Sequence, residues 1–484
     1  MASFPELLSP QPFLRLAESA ARRPDSLGLV SPHHRIAFGQ LAHDCTRIAV
    51  ALRHCGVKAG DFVTVDTNAE LHFYFSQALF SLCAVGTIYT GRHSKDNPQN
   101  FTWRISDTPD DDFPKGRTIV VDATFLKEAS ATADPLEVRT YDSFTSVARV
   151  AYSSGTTGEP LPIPLTVKMI DRRSQIANDY WLPMRPFFSL ISLSSSMGLV
   201  ASLANMATAT PYLVPGSSSE NLEMITTQFV SCLAGSGVQL AELLQLSPEG
   251  KELADVGMII NVGSPPSPQL IQHLREYTNA KFLNAFGATQ AGAVMLNPIE
   301  EKVSAHFETI IPGVEIEVVD DAGHKLPFGE VGNLRSRSDW QANNYHNASF
   351  ASTSSFKDGW FYSGDLARQN QDGTVTLCGR SGDVVNFGGV KVDLTIADHA
   401  IREIPGIKDA AVVSLSDEWG VSWPHIAFVR DEGFDANRLK ELSTKVLQGL
   451  APVSYQEVSE IPRGTIGKVR RVELANTVRA NHHG

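Results

Sequence analysis

Ala151-Tyr-Ser-Ser-Gly-Thr-Thr-Gly-Glu-Pro160 is the stretch around which the rest of this chain is read. The apolar run before it, Ser146-Val-Ala-Arg-Val-Ala151, predicts a strand. The strand breaks into a loop of hydroxyl residues and glycines. Gly155 and Gly158 can adopt positive φ, which lets backbone N–H groups approach a ligand closely. Ser153, Ser154, Thr156 and Thr157 add hydroxyl donors, and Pro160 keeps a helix from starting at once. A strand that feeds such a loop can cradle phosphate oxygens. It is not a Walker A loop, because no Gly-Lys-Ser/Thr follows at the required spacing.

The 484 residues allow two to four domains at about 150 residues each. A formal net charge of −12 argues against nonspecific binding to nucleic acid or an anionic membrane surface. Cys45, Cys55, Cys83, Cys232 and Cys378 are scattered and lack a CxxC spacing. Reduced thiols in a cytoplasmic setting fit this pattern better than a zinc cluster does. No leader pattern opens the chain, and no run reaches the roughly 20 apolar residues of a membrane span.

Helical spacing of apolar residues predicts helices over 13–22, 41–52, 70–85, 240–246 and 268–277. Strands are expected at 62–66, 87–90, 211–215, 229–233, 256–262 and 281–286, with a loop at Gly287–Gln290. Asp110 to Asp112 reads as a solvated acidic loop, and 190–203 as core. This alternation implies parallel-type sheets with helices on their faces. From Val314 the texture turns to alternating strands. Beyond about Leu377 a further set follows: strands at 383–387, 410–414 and 426–429, and two amphipathic helices. One helix carries Ile396, Ala400, Ile401 and Ile404, and the other Leu439, Leu442, Val446 and Leu450. The expected fold class is therefore α/β. It has a large, multi-subdomain N-terminal domain (1–379) and a small, mobile α+β C-terminal domain (380–484).

Five further stretches follow the opening loop in order. They are Gly263-Ser-Pro265, Asn284-Ala-Phe-Gly-Ala-Thr-Gln290, Asp358-Gly-Trp-Phe-Tyr-Ser-Gly-Asp-Leu366, Gly379-Arg-Ser-Gly-Asp-Val-Val-Asn-Phe-Gly-Gly-Val-Lys-Val392 and Pro462-Arg-Gly-Thr-Ile-Gly-Lys468. Together, from Phe38 to Arg471, the set resembles the adenylate-forming superfamily of acyl- and aryl-CoA synthetases, adenylation domains and luciferases.

The resemblance implies ATP-dependent activation of a carboxylic acid as an acyl-adenylate, with Mg²⁺. Transfer to the pantetheine thiol of CoA or of an acyl-carrier protein follows. It assigns Lys468 as the catalytic lysine and Thr289 as an α-phosphate contact. Ser153, Ser154, Gly155, Thr156, Thr157 and Gly158 hold the outer phosphates. Gly263, Ser264 and Pro265, with Asn284, Ala285, Phe286 and Gly287, enclose the adenine. Asp365 and Arg380 hold the ribose, Gly382 is the hinge, and Gly388 and Gly389 line the thiol channel. Ser195, Met197 and Gly198 border the acid pocket, which is small, apolar and suited to an aryl or a short-to-medium aliphatic acid. The Glu159-Pro-Leu-Pro162 variant of the loop looks like that of stand-alone ligases that load carrier proteins in secondary metabolism.

The chain also departs from the pattern. Leu161-Pro162 stands where the family usually has Lys-Gly, Gln290 where it has the magnesium-binding Glu, and Gly382 where the hinge is Asp or Lys. An amide oxygen ligates Mg²⁺ more weakly than a carboxylate does. The alternative these changes motivate is a non-catalytic nucleotide-binding protein of the same fold.

Overall fold

The computed structural model describes residues 11–88, 101–108, 116–131, 138–152, 161–181, 184–247, 249–263, 266, 268–300, 306–345, 355–380, 384–387, 390–416, 422–447, 453–464 and 467–482. The first sheet has six strands, ordered Thr118–Val120, Trp103–Ser106, Phe62–Asp66, Val85–Ile88, Val147–Tyr152 and Pro162–Thr166. All pair in parallel except the last, which returns antiparallel on Val147–Tyr152 and brings Pro162 opposite Tyr152. Prolines at 162 and 164 suit an edge strand, where a missing N–H costs no ladder bond.

Helix Phe38–His54 buries Leu41, Cys45, Ile48 and Leu52, the face that the spacing predicted. Helix Ala69–Ser81 is capped by Asn68, whose side chain accepts from the Leu71 N–H. It stops short of the expected Val85, because Cys83 takes a left-handed φ of 57° and the chain turns directly into the Val85–Ile88 strand.

The second sheet runs Thr309–Ile310, Gly292–Pro298, Lys281–Ala288, Met258–Val262, Cys232–Gly235 and Phe187–Ser189. Its last four strands are parallel. Two expectations shift here. The strand expected at 229–233 starts at Cys232, because helix Ser218–Thr227 is closed by an N–H of Val230 bonded to the Ile225 carbonyl. Phe229 is left in a left-handed conformation and exposed. The expected loop at Gly287–Gln290 is shorter: the strand continues to Ala288 and turns back through a hairpin onto Gly292–Pro298. A third, antiparallel sheet joins His306–Phe307, Val375–Arg380, Trp360–Gln369, Val331–Arg337 and Glu315–Val319.

The C-terminal region combines the hairpin Val384–Phe387/Val390–Asp393 with the sheet Ile407–Ser416, Ser422–Arg430 and Ser454–Glu457. Helices Leu394–Arg402, Ala436–Val446 and Arg471–His482 accompany them. Its two apolar clusters are built only from residues after Val384, and every other cluster ends at or before Leu377. Among the described residues no helix is long and apolar enough to cross a membrane.

Candidate functional site

In open parallel sheets, ligands gather at the carboxyl ends of the strands. Of the described candidates, Gly263 and its neighbours Ala285 to Gly287 stand at or near such ends. Val147–Tyr152 ends immediately before Ser153 in sequence, and Met258–Val262 ends at Gly263, whose φ is +95°. Ala285, Phe286 and Gly287 lie late in the neighbouring strand, with Ala285 opposite Val262. Ser153, Ser154, Gly155, Thr156, Thr157, Gly158, Ser264, Pro265, Gly382, Gly388 and Gly389 lie outside the described residues, as do Asp110 to Asp112 and the side chain of Arg380.

Phe286 is half-buried and meets Phe307 edge-on, with ring centroids 5.8 Å apart. Gly287 admits no side chain: a Cβ would stand 2.3 Å from the Gly292 carbonyl oxygen across the hairpin. Asn284 is buried, and its Oδ1 accepts from Asn261 Nδ2 at 2.9 Å. That bond ties two parallel strands together beneath the site. Asp365 and Arg380 are 15 positions apart in sequence yet are direct partners on adjacent antiparallel strands. The proposed ribose pair is thus a cross-strand neighbour pair.

Lys468 belongs to a small closed loop. The Gly464 N–H donates to the Lys468 carbonyl at 2.8 Å, and Arg463 bridges to Val469. Arg463 grips Asp409 through Nε and Nη2 at 3.0 and 2.6 Å and donates from Nη1 to the Gly467 carbonyl at 2.9 Å. Arg471 then anchors the following helix on buried Asp398 at 2.8 Å. Burial pushes the Asp398 carboxyl up to about 6, against the opposing pull of Arg471. Gly467 packs so closely on Val238 that a Cβ there would lie 3.2 Å from its Cγ2. Val238 is in helix Gly237–Leu246, which starts just after strand Cys232–Gly235. The lysine loop therefore meets the second sheet at the same carboxyl edge as Gly263.

Thr289 and Gln290 form the turn of the 281–298 hairpin. The Gln290 carbonyl accepts from the Ala342 N–H at 2.8 Å, and its Nε2 donates to Tyr345 Oη at 3.4 Å. Ser195 caps helix Ser196–Ala207: its Oγ accepts from the Gly198 N–H at 3.0 Å and donates to the Ser192 carbonyl at 2.9 Å. Gly198 is required by close approach, since a Cβ would fall 2.1 Å from the Ser192 oxygen. Met197 is half-buried against the core behind the second sheet. The acid-pocket candidates thus also build the head of one helix.

Sequence reasoning missed two buried arginines. Arg149, inside the strand leading to the Ser/Gly loop, donates to Ser76 Oγ and to the Leu193 carbonyl, both at 3.1 Å. Arg173, on helix Val167–Ile176, donates to the carbonyls of Trp340, Thr289 and Gln290 and to Ser196 Oγ. Burial lowers both guanidinium groups to about 9, which leaves them protonated at neutral pH. A signal was present in each case: Arg149 interrupts an apolar strand run, and Arg173 shares a helical face with buried Met169 and Ile176.

Among the described residues no group of three His, Cys, Asp or Glu side chains stands together to hold a metal ion. A magnesium ion bound to nucleotide phosphates needs only one or two protein oxygens. The carbonyl oxygen of the Gln290 side chain can supply one.

The chain matches the AMP-binding enzyme family over residues 16–346. It is 24% identical over 479 residues to the 2-succinylbenzoate–CoA ligase of Listeria monocytogenes, covering 93% of this chain and 96% of that one. It is 27% identical over 354 residues to the medium-chain-fatty-acid–CoA ligase of Ectopseudomonas oleovorans, 67% of this chain and 64%, less than two thirds, of the ligase's length. The ATP-bound structure of MatB from Rhodopseudomonas palustris shares the fold, with a TM-score of 0.85 at 20% identity over 98% of this chain and 99% of MatB. This chain, with the motifs of the adenylate-forming superfamily in order and the matching fold, belongs to the AMP-binding enzyme family.

Proposed function

We propose that this protein is an AMP-forming acid–thiol ligase. It activates a small aryl or short-to-medium aliphatic acid with ATP and passes the acyl group to the thiol of CoA. The observation that carries the reading is the position of the Lys468 loop, packed through Gly467 on Val238 at the carboxyl edge of the second sheet. In the first step a carboxylate oxygen attacks the α-phosphorus. The bond to the β-phosphate oxygen breaks, and pyrophosphate leaves. Negative charge accumulates on phosphate oxygens, so preset donors and cations there supply the rate. Lys468 provides a mobile cation between carboxylate and α-phosphate, Thr289 a hydroxyl, and Asp365 a two-oxygen acceptor for the ribose hydroxyls. When bound, magnesium neutralises the outer phosphates, and Gln290 would hold it. In the second step the thiolate sulfur attacks the acyl carbon and AMP leaves.

The boundary at Gly379/Arg380 and the hinge at Gly382 belong to the same reading. The separate apolar clusters on either side of residues 377–385 support them. The test is pyrophosphate release from ATP and Mg²⁺ over a panel of aryl, aliphatic and amino acids, with hydroxylamine to trap the adenylate. Release with one aryl or aliphatic class is expected. CoA and a phosphopantetheinyl carrier protein then compete as acceptors, with CoA preferred. ATP binding without release for any acid would support the non-catalytic alternative, for which the neutral Gln290 and Leu161 speak.

A further inference from the structure

Arg173 is buried to 4% exposure and has no carboxylate partner among the described residues. A guanidinium in such a place is retained only where its donors are satisfied. Four donations leave it. Nε donates to the Trp340 carbonyl at 3.1 Å. Nη1 donates to Ser196 Oγ and to the Thr289 carbonyl, each at 2.9 Å. Nη2 donates to the Gln290 carbonyl at 2.9 Å. Gly292 faces it at a φ of +74°, and a Cβ there would lie 3.0 Å from Nε, so the hairpin keeps room for this side chain.

The acceptors come from three separate places in the chain: the Thr289–Gln290 turn, the first residue of helix Ser196–Ala207, and the segment around Trp340. In a trans peptide the N–H points opposite to the C=O. With the Thr289 and Gln290 carbonyls held on Arg173, the N–H groups of Gln290 and Ala291 point away from it. The charge also stands directly behind the one candidate metal-ligand position that is neutral here.

We propose that Arg173 is the positioning residue of the phosphate turn. It fixes the Thr289–Gln290 peptides and the head of the acid-pocket helix in one arrangement before the acid and ATP react. This rests on the ligase reading above. Arg173 touches neither substrate. It acts through Thr289, Gln290 and Ser196, and its positive charge, with no carboxylate beside it among the described residues, stands behind the turn where negative charge would build up on the phosphates. Its loss therefore weakens stabilisation of the transition state more than binding of ATP, whose base and ribose are held elsewhere.

The test compares wild type with Arg173→Met, Arg173→Lys and Arg173→Ala in the pyrophosphate-release assay, with melting curves for each. Arg173→Met should lower kcat about 100-fold while KM for ATP changes less than about fivefold. Arg173→Lys, a point charge with fewer reachable acceptors, should fall between the two. Methylguanidinium should raise the rate of Arg173→Ala and leave wild type unchanged. A folded Arg173→Met with kcat within about threefold of wild type, or with KM alone raised, overturns the proposal. If the Arg173 variants do not fold, Ser196→Ala removes a single acceptor. It should lower kcat about three- to tenfold at unchanged KM for ATP, and an unchanged kcat is equally decisive against the proposal. Should wild type release no pyrophosphate with any acid, the ligase reading fails, and calorimetry with Mg·ATP and adenosine decides on Arg173. Arg173→Met should then weaken Mg·ATP about three- to fivefold and adenosine not at all. Equal affinities, equal weakening of both ligands, or no ATP binding by wild type overturns it.

Discussion

Lys468 and Arg463 share one small loop but do different work. Arg463 is committed to Asp409 and the Gly467 carbonyl, so it fixes the loop on the C-terminal sheet. Lys468, whose carbonyl closes the loop, is the cation proposed to reach the α-phosphate. Lys468→Ala should therefore cut acid-dependent pyrophosphate release by at least about 100-fold, the scale of losing one preset electrostatic group. Thiolysis of a preformed adenylate should stay near the wild-type rate, because the proposed mechanism gives the lysine no part in that step. Parallel stopped-flow measurements of the two half-reactions check this, and equal losses in a folded variant would contradict the division of roles.

Helix Ser196–Ala207 packs in the core and carries the proposed acid-pocket residues. Its start is fixed by the Ser195 cap and by the contact of Gly198 with the Ser192 carbonyl. Ser195→Ala loses the cap alone and should cost about 1 kcal/mol. Gly198→Ala must displace backbone, because the nearest atom to its Cβ is a carbonyl oxygen at 2.1 Å. It should cost about 2–3 kcal/mol and move the acid-pocket residues with the helix. Urea unfolding ranks the two, and the order Gly198 above Ser195 is the expected result. The same distinction between local and imposed geometry explains the shifted strand at 232–235. The Val230 N–H closure on Ile225 consumes three residues that β propensity had assigned to the strand.

Across the whole molecule, two histidines with lowered pKa values, the buried His72 and the half-buried His399, respond to acid. Burial, with Arg149 nearby, lowers His72 to about 4, and burial beside Arg402 does the same to His399. Each takes a proton in the unfolded chain below about 6.5 but not in the folded protein until about 4, so stability falls as pH drops through that window. Asp398 works the other way. Its folded-state value of about 6 lies above its ordinary 3.8, so it gains stability over nearly the same range. His399 and Asp398 therefore largely cancel within the C-terminal region, and the uncompensated loss sits at His72 beside the first sheet. The N-terminal part should lose about 1.4 kcal/mol per pH unit between 6.5 and 4. His72→Gln, which keeps an acceptor for the Thr67 N–H, should flatten that slope. Denaturant midpoints at pH 4.5, 5.5, 6.5 and 7.5 read it directly.

Much of this protein is written locally. Strand-to-loop transitions, amphipathic helices such as 38–54, and the ordered Gly-, Asp- and Lys-bearing motifs depend on neighbours within a few positions, so spacing and residue chemistry reveal them. Fold class, family and most candidate residues follow from those signals. The partners of buried polar groups depend on tertiary contact. That Asp365 faces Arg380, that Asn284 bonds Asn261, and that Arg173 joins the Thr289–Gln290 turn to Ser196 are relations across 15 to 117 positions, set by strand register and helix packing. The reversal at Gly287–Gly292 is of the same kind. A glycine-rich segment reads locally as a loop, and it becomes a paired hairpin only because Gly292–Pro298 has a sheet edge to join.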